Sequence, residues 1–208
     1  HRRIGKILFI ISPTIKIDDS WFHMRTAILD TNAKTLGIKK IPLVTFYVYD
    51  SLDKGERLGI VPAVSLISKK EIHGHLQQSP GHELTHILLG EINDSNGLPA
   101  NGFWAEGVST FLDGTGTDRR KHAMTIGISL PSRVPWTRWF SQLPSANYPL
   151  AGSFVQFLVE QHGIKYLVKF LKSLRKFEAM KTVFRQVFNE DFLATQKAWL
   201  LWLKELKK

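Results

Sequence analysis

The sequence predicts an α+β chain: a strand-rich N-terminal part with a mixed or antiparallel sheet, a central pair of helices, and a C-terminal helical bundle. Three observations carry that reading. Short runs over 6–12, 41–50 and 61–68 are apolar and rich in β-branched or aromatic residues, as strands are. From residue 79 the apolar period becomes helical. From about 149 to the C-terminus, apolar stripes recur at helical spacing. The organisation expected is a strand-rich part over 1–78, a segment with two site-bearing helices over 79–130, and a helical part over 131–208, together forming one compact unit.

Taken in order, "KILFIIS" (6–12) reads as a buried strand closed by Pro13. A helix is expected over about 20–36, capped by Asp19 or Ser20, with Phe22, Leu29, Ala33 and Leu36 on one face and Gly37 as its stop. "IPLVTFYVYD" (41–50) is the clearest strand. The polar stretch 50–59 reads as a turn, and "VPAVSLIS" (61–68) as a strand whose Pro62 favours an edge position. Ser79 and Pro80 supply a cap and a first-turn proline for a helix ending at Gly90. A loop over 91–102 leads to a second helix at about 103–112, with Asn101 placed to cap it. "DGTGTDRRKH" (113–122) reads as a loop, and its glycines lack the Lys and Ser/Thr of a phosphate cradle. The proline- and aromatic-rich stretch 131–149 is an irregular connection. Helices then follow at about 149–162, 164–176, 178–188 and 191–206.

With 208 residues, 43% hydrophobic and 22% charged, the chain has the make-up of an ordinary globular protein. No apolar run approaches the roughly 20 residues of a membrane-spanning helix. The absence of cysteine excludes disulfides, thiolate ligands and a cysteine nucleophile. Residue 1 is His rather than Met, so the sequence leaves the compartment open, with a leaning toward an exported or cell-envelope setting. The net charge is +10, and residues 163–208 hold eleven Lys or Arg against four Asp or Glu. These cations alternate with apolar positions at helical spacing, so they read as solvated helix faces open to an anionic partner. No recognised nucleic-acid motif accompanies them, and no specific nucleic-acid partner is expected.

The stretch "GHELTHILLG" (81–90) carries the chemistry. On a helix, residues four apart lie on one face, so His82 and His86 can offer two imidazoles to one ion. Zinc suits two neutral imidazoles and a carboxylate, with a fourth position left for water. Glu83 is rotated about a third of a turn from His82, beside that position, where a general base belongs. "FWAEGVSTFL" (103–112) offers the third ligand, Glu106, nineteen residues beyond His86, enough for one helix to end and another to return. The bland alternative for Glu106 alone is a solvated carboxylate at a helix start.

"HELTH" followed by "FWAEG" resembles the gluzincin zinc metallopeptidases, in which a glutamate on a second helix completes a His-His-Glu site. The wording "HELTH" and the nineteen-residue gap look like the thermolysin branch; "WAEG" looks more like the aminopeptidase-related branch and its small bacterial allies. "YPLAGSFVQFLVEQHG" (148–163) and the region around Trp199 are similar to later helices of such domains, so the likeness covers about 79–208. At position 110 the chain has Thr where the thermolysin branch carries a histidine-orienting Asp. The resemblance implies one Zn2+ held by His82, His86 and Glu106, Glu83 as general base, and a peptide or protein substrate. Tyr148, next to Pro149 at a helix entrance, is the candidate donor to the reaction's oxyanion.

The competing reading is a zinc-stabilised binding module that acts through its basic C-terminal helices. Retention of Glu83 argues for hydrolysis, since metal binding alone does not need it. His73 and His75 share one face and read as exposed, and "RRK" (119–121) reads as a solvated loop. Trp104, Trp136 and Trp139 read as core.

Overall fold

The structure, a computed structural model, describes residues 1–50, 64–93, 102–125, 134–174 and 176–205. Most of the 50–59 turn, Pro62, Asn101 with most of its loop, and Pro131 lie outside the described residues. The chain is α+β, and it divides into two compact units: residues 1–91 with 112–115, and residues 92–111 with 116–208.

The first unit is built on a five-stranded mixed sheet of order β1-β2-β3-β5-β4. Strands β1 (Arg2–Ile4) and β2 (Ile7–Ile11) form an antiparallel hairpin. β2 pairs in parallel with β3 (Val44–Tyr49), the chain crossing over through helix α1 (Asp19–Thr35). β3 pairs in parallel with β5 (Glu71–His75), and β4 (Val64–Leu66) adds the antiparallel edge. β1 was not expected: "RRI" carries a single apolar residue, and its pairing with β2 makes it a strand. β5 likewise has little strand propensity of its own and is held between two partners.

Strict alternation in β3 buries Val44, Phe46 and Val48 on one face of the sheet. Helix α1 covers that face, Phe22 meeting Phe9 edge-on at 4.9 Å and Trp21 meeting Phe46 at 5.9 Å. The cap of α1 is Asp18 rather than Asp19 or Ser20. Asp18 accepts from the Ser20 backbone N–H at 2.7 Å, and hydrogen bonding from the Ser20 side chain first, then from its backbone, holds the Asp18 carboxyl below the usual range. Asp19 is drawn off to pair with Arg2. The buried face holds Phe22, Leu29, Ala33 and Leu36 as read, and two polar residues besides, Arg25 and Asn32.

Helix α2 (His82–Asn93) begins two residues later than the Ser79–Pro80 signal places it and runs past Gly90. Its first-turn bond is accepted by the Gly81 carbonyl, while the Gly81 N–H is taken by Asp113 O at 2.7 Å. Gly90 is no stop: a Cβ there would sit 2.3 Å from Ile67 Cγ2, so the glycine lets the helix pack closely.

The second unit holds α3 (Phe103–Phe111), α4 (Arg119–Thr125), α5 (Trp136–Ser141), α6 (Tyr148–His162), α7 (Ile164–Ser173), α8 (Met180–Phe188) and α9 (Phe192–Lys204). Phe154 of α6 is the hub of its core, in ring contact with Phe103, Trp104, Trp136, Phe192 and Trp199. Trp104, Trp136 and Trp139 are core residues, as expected. The 113–122 stretch is corrected: "RRKH" is helical, because the Asp118 carboxylate accepts from the Arg120 and Lys121 N–H groups and the Gln156 side chain from Arg119 and Arg120. Arg119 is buried, not solvated.

Helices α3 and α6 meet through small residues. A Cβ on Gly107 would stand 2.9 Å from the Ala151 carbonyl oxygen, and one on Gly152 would stand 2.8 Å from Thr110 Cγ2. Backbone cannot rotate away as a side chain can. Gly107→Leu is therefore expected to cost about 2 kcal/mol or more and lower Tm by about 5 °C, read in a thermal melt. An unchanged Tm would show that this crossing is loose.

Candidate metal centre

His82 and His86 sit one turn apart in α2, as the four-residue spacing requires. Their Nε2 atoms are 3.2 Å from each other, with the rings tilted at 69°. Two ligands about 2.05 Å from a tetrahedral ion are separated by about 3.3 Å, so the pair is pre-set for one cation. Without an ion, one ring can donate to the other in the matching tautomer. Glu106, in the first turn of α3, is 2% exposed, and His86 is 4% exposed. One ligand atom from each of His82, His86 and Glu106 lies within 4.8 Å of the others. Two imidazoles and a carboxylate make a borderline-hard donor set that fits zinc and excludes the all-oxygen preference of calcium or magnesium.

Glu83 falls outside that group of three. It is buried at 8% exposure, and its Oε1 accepts from Gln78 Nε2 at 3.1 Å. That bond fixes one carboxylate oxygen and leaves Oε2 with no hydrogen-bond partner among the described residues. The Gln78 amide orientation is fixed too, since only its nitrogen can donate to a carboxylate. Its Oε1 is packed where a Cβ on Gly74 would come within 2.4 Å, so the glycine of β5 makes room for it.

Helix α1 sets up this support. Trp21 Nε1 donates to Leu76 O at 3.1 Å and Arg25 Nη2 to Gln78 O at 3.0 Å, clamping the segment that ends in Gln78. The Arg25 guanidinium lies 3.4 Å from the Trp21 ring centroid. Burial pushes its pKa down to about 9, which leaves it a cation at neutral pH. Further along α1, Asn32 Nδ2 donates to Thr85 Oγ1 at 3.0 Å and to Leu112 O at 2.7 Å. Thr85 in turn donates to the Gly81 carbonyl at 2.8 Å, so the first turn of α2 is tied down between the two histidines.

Sequence reading missed Gln78, Arg25, Asn32 and Thr85. A signal was available for two of them: 22, 25, 29, 32, 33 and 36 fall on one helical face, which places Arg25 and Asn32 inward. No local pattern announces Gln78.

Tyr148 is half-buried as the first residue of α6, and the cap position belongs to Asn147, which makes no side-chain cap bond. The structure thus makes Tyr148 the first helical residue, and the sequence resemblance alone suggests a role for it toward an oxyanion. Thr110 is buried, with Oγ1 unpartnered among the described residues and its methyl against Gly152, so it serves helix packing. His73 is 9% exposed rather than free in solvent. It stacks on Tyr47 at 4.7 Å, and its Nδ1 shares a 2.7 Å hydrogen bond with Tyr49 OH, while burial pushes its imidazole pKa down.

Among the described residues, no helix is long and apolar enough to cross a membrane. Comparisons with family models, with curated proteins and with solved structures find no match to the chain.

Proposed function

We propose that the protein is a zinc-dependent peptidase of gluzincin type. The observation that carries the reading is the convergence of the His82 and His86 Nε2 atoms at 3.2 Å beside a carboxylate, Glu83, that is held by Gln78 and takes no part in the ligand set. A metal-binding module needs the first feature only.

His82, His86 and Glu106 would hold the ion. When bound, zinc lowers the pKa of water toward about 7 and polarises a carbonyl. Glu83 supplies the rest of the acid–base chemistry: its free oxygen takes the proton of the attacking water and returns it to the departing amine. Gln78 keeps that carboxylate from turning away, and burial keeps bulk water from competing for it. Tyr148 is proposed as the hydrogen-bond donor to the developing oxyanion.

The test is metal removal and return. The purified chain should carry close to one zinc and cleave a mixed peptide library. Dialysis against a chelator should abolish cleavage, and stoichiometric zinc should restore it. A zinc-replete chain that leaves every peptide intact would favour the binding module instead.

A further inference from the structure

Away from α2 and α3, the second unit carries a groove of about 680 Å3 between α5, α8 and α9. Its walls are apolar, with Trp136, Phe177, Met180 and Leu193 among them, and Leu193 is 44% exposed there. The volume lies inside the about 300–1,000 Å3 range of ligand sites, and an apolar surface left open to water costs free energy unless something covers it.

Two features say what covers it. Gln196 lines the groove at 8% exposure, and its Oε1 accepts from Trp136 Nε1 at 2.6 Å. An indole N–H can only donate, so the amide cannot be flipped and its Nε2 is the outward end. That nitrogen has no partner among the described residues, which makes it a fixed donor on a side chain that lines the groove. The second feature is charge. Arg138 and Lys181 stand exposed on the lining; among the described residues neither is within ion-pair distance of a carboxylate, and no Asp or Glu lines the groove with them.

We propose that this groove binds a short acidic peptide segment, its apolar side chain against Phe177 and Leu193, a backbone carbonyl on Gln196 Nε2, and its carboxylates on Arg138 and Lys181. A fatty acid shares the charge but is a thin rod that needs a narrow sleeve, and a half-open groove leaves most of its length wet. A nucleic acid strand needs aromatic faces free for stacking, and Trp136 at 9% exposure is committed to the core. The proposal stands apart from the metal centre and holds whether or not the chain is a peptidase.

The probe is a fluorescein-labelled, acetylated hexapeptide alternating Glu with Leu and Phe, followed by anisotropy on the full chain carrying Glu83→Gln, so that the probe stays intact. Binding is expected to weaken as salt rises, to shift the Trp136 indole N–H resonance, and to fall by about tenfold in the double variant Arg138→Glu, Lys181→Glu. Leu193→Glu, another exposed position, should weaken it comparably, and circular dichroism checks that both variants fold. The idea is overturned by no binding, by equal affinity for the hexapeptide with Lys in place of Glu, by affinity unchanged in both variants, or by sodium laurate or oligothymidine binding more tightly at the same resonance.

Discussion

Glu83→Gln is expected to leave zinc stoichiometry intact and to reduce peptide cleavage by about 10²–10⁴-fold, the contribution of a positioned general base. The two halves of this prediction follow from separate parts of the site. Metal content should hold because the donor atoms within 4.8 Å of one another come from His82, His86 and Glu106, and Glu83 supplies none. Cleavage should collapse because an amide has the shape of a carboxylate without its basicity. Gln can still accept the 3.1 Å bond from Gln78 through its carbonyl oxygen, so the local packing has no reason to change. KM should move little and kcat should carry the loss. The measurement is zinc by atomic absorption alongside kcat and KM on one cleaved peptide. A variant that loses zinc as well would show that Glu83 is a ligand; one that keeps full activity would remove it from the chemistry.

The pairing of His82 with His86 and the place of Glu83 beside them were legible because helical spacing is a local property. Once "HELTH" is helical, His82 and His86 must share a face and Glu83 must stand beside them. Glu106 was legible through chain length and residue type. The support beneath these residues was not. Gln78 reaches Glu83 only because Trp21 and Arg25, more than fifty residues earlier, grip the backbone between 76 and 78. Nothing near Gln78 in sequence encodes that grip. Boundaries failed for the same reason. Ser79–Pro80 is a good local start signal, yet the helix begins at His82 because the Gly81 N–H is engaged by Asp113. Gly90 looks like a stop and is a packing contact with Ile67. His73 looked exposed because "EIHGH" is polar; it is covered because β5 pairs with β3 and brings Tyr47 and Tyr49 over its ring. Local chemistry survives into the fold, and long-range pairing decides what surrounds it.

Glu106→Gln should break metal binding where Glu83→Gln does not. A charged oxygen ligand becomes a neutral amide of the same size, and a third of the roughly 10–16 kcal/mol of a zinc site is about 4 kcal/mol, or on the order of a thousandfold in affinity. The loss can be read without any substrate. Zinc at a thousandfold excess over its dissociation constant stabilises the wild-type fold by about 4 kcal/mol, which for a chain of this size raises Tm by about 10 °C. The same zinc concentration should then sit near the variant's dissociation constant and raise its Tm by no more than about 1–2 °C. The wild-type and variant chains should melt at similar temperatures in chelator, since the exchange keeps volume and shape at a position only 2% exposed. The difference between the two zinc shifts, not either Tm alone, is the diagnostic quantity. Equal shifts in both chains would place the ion on the two histidines without Glu106, and the three-ligand centre on which the proposed hydrolysis depends would fall with it.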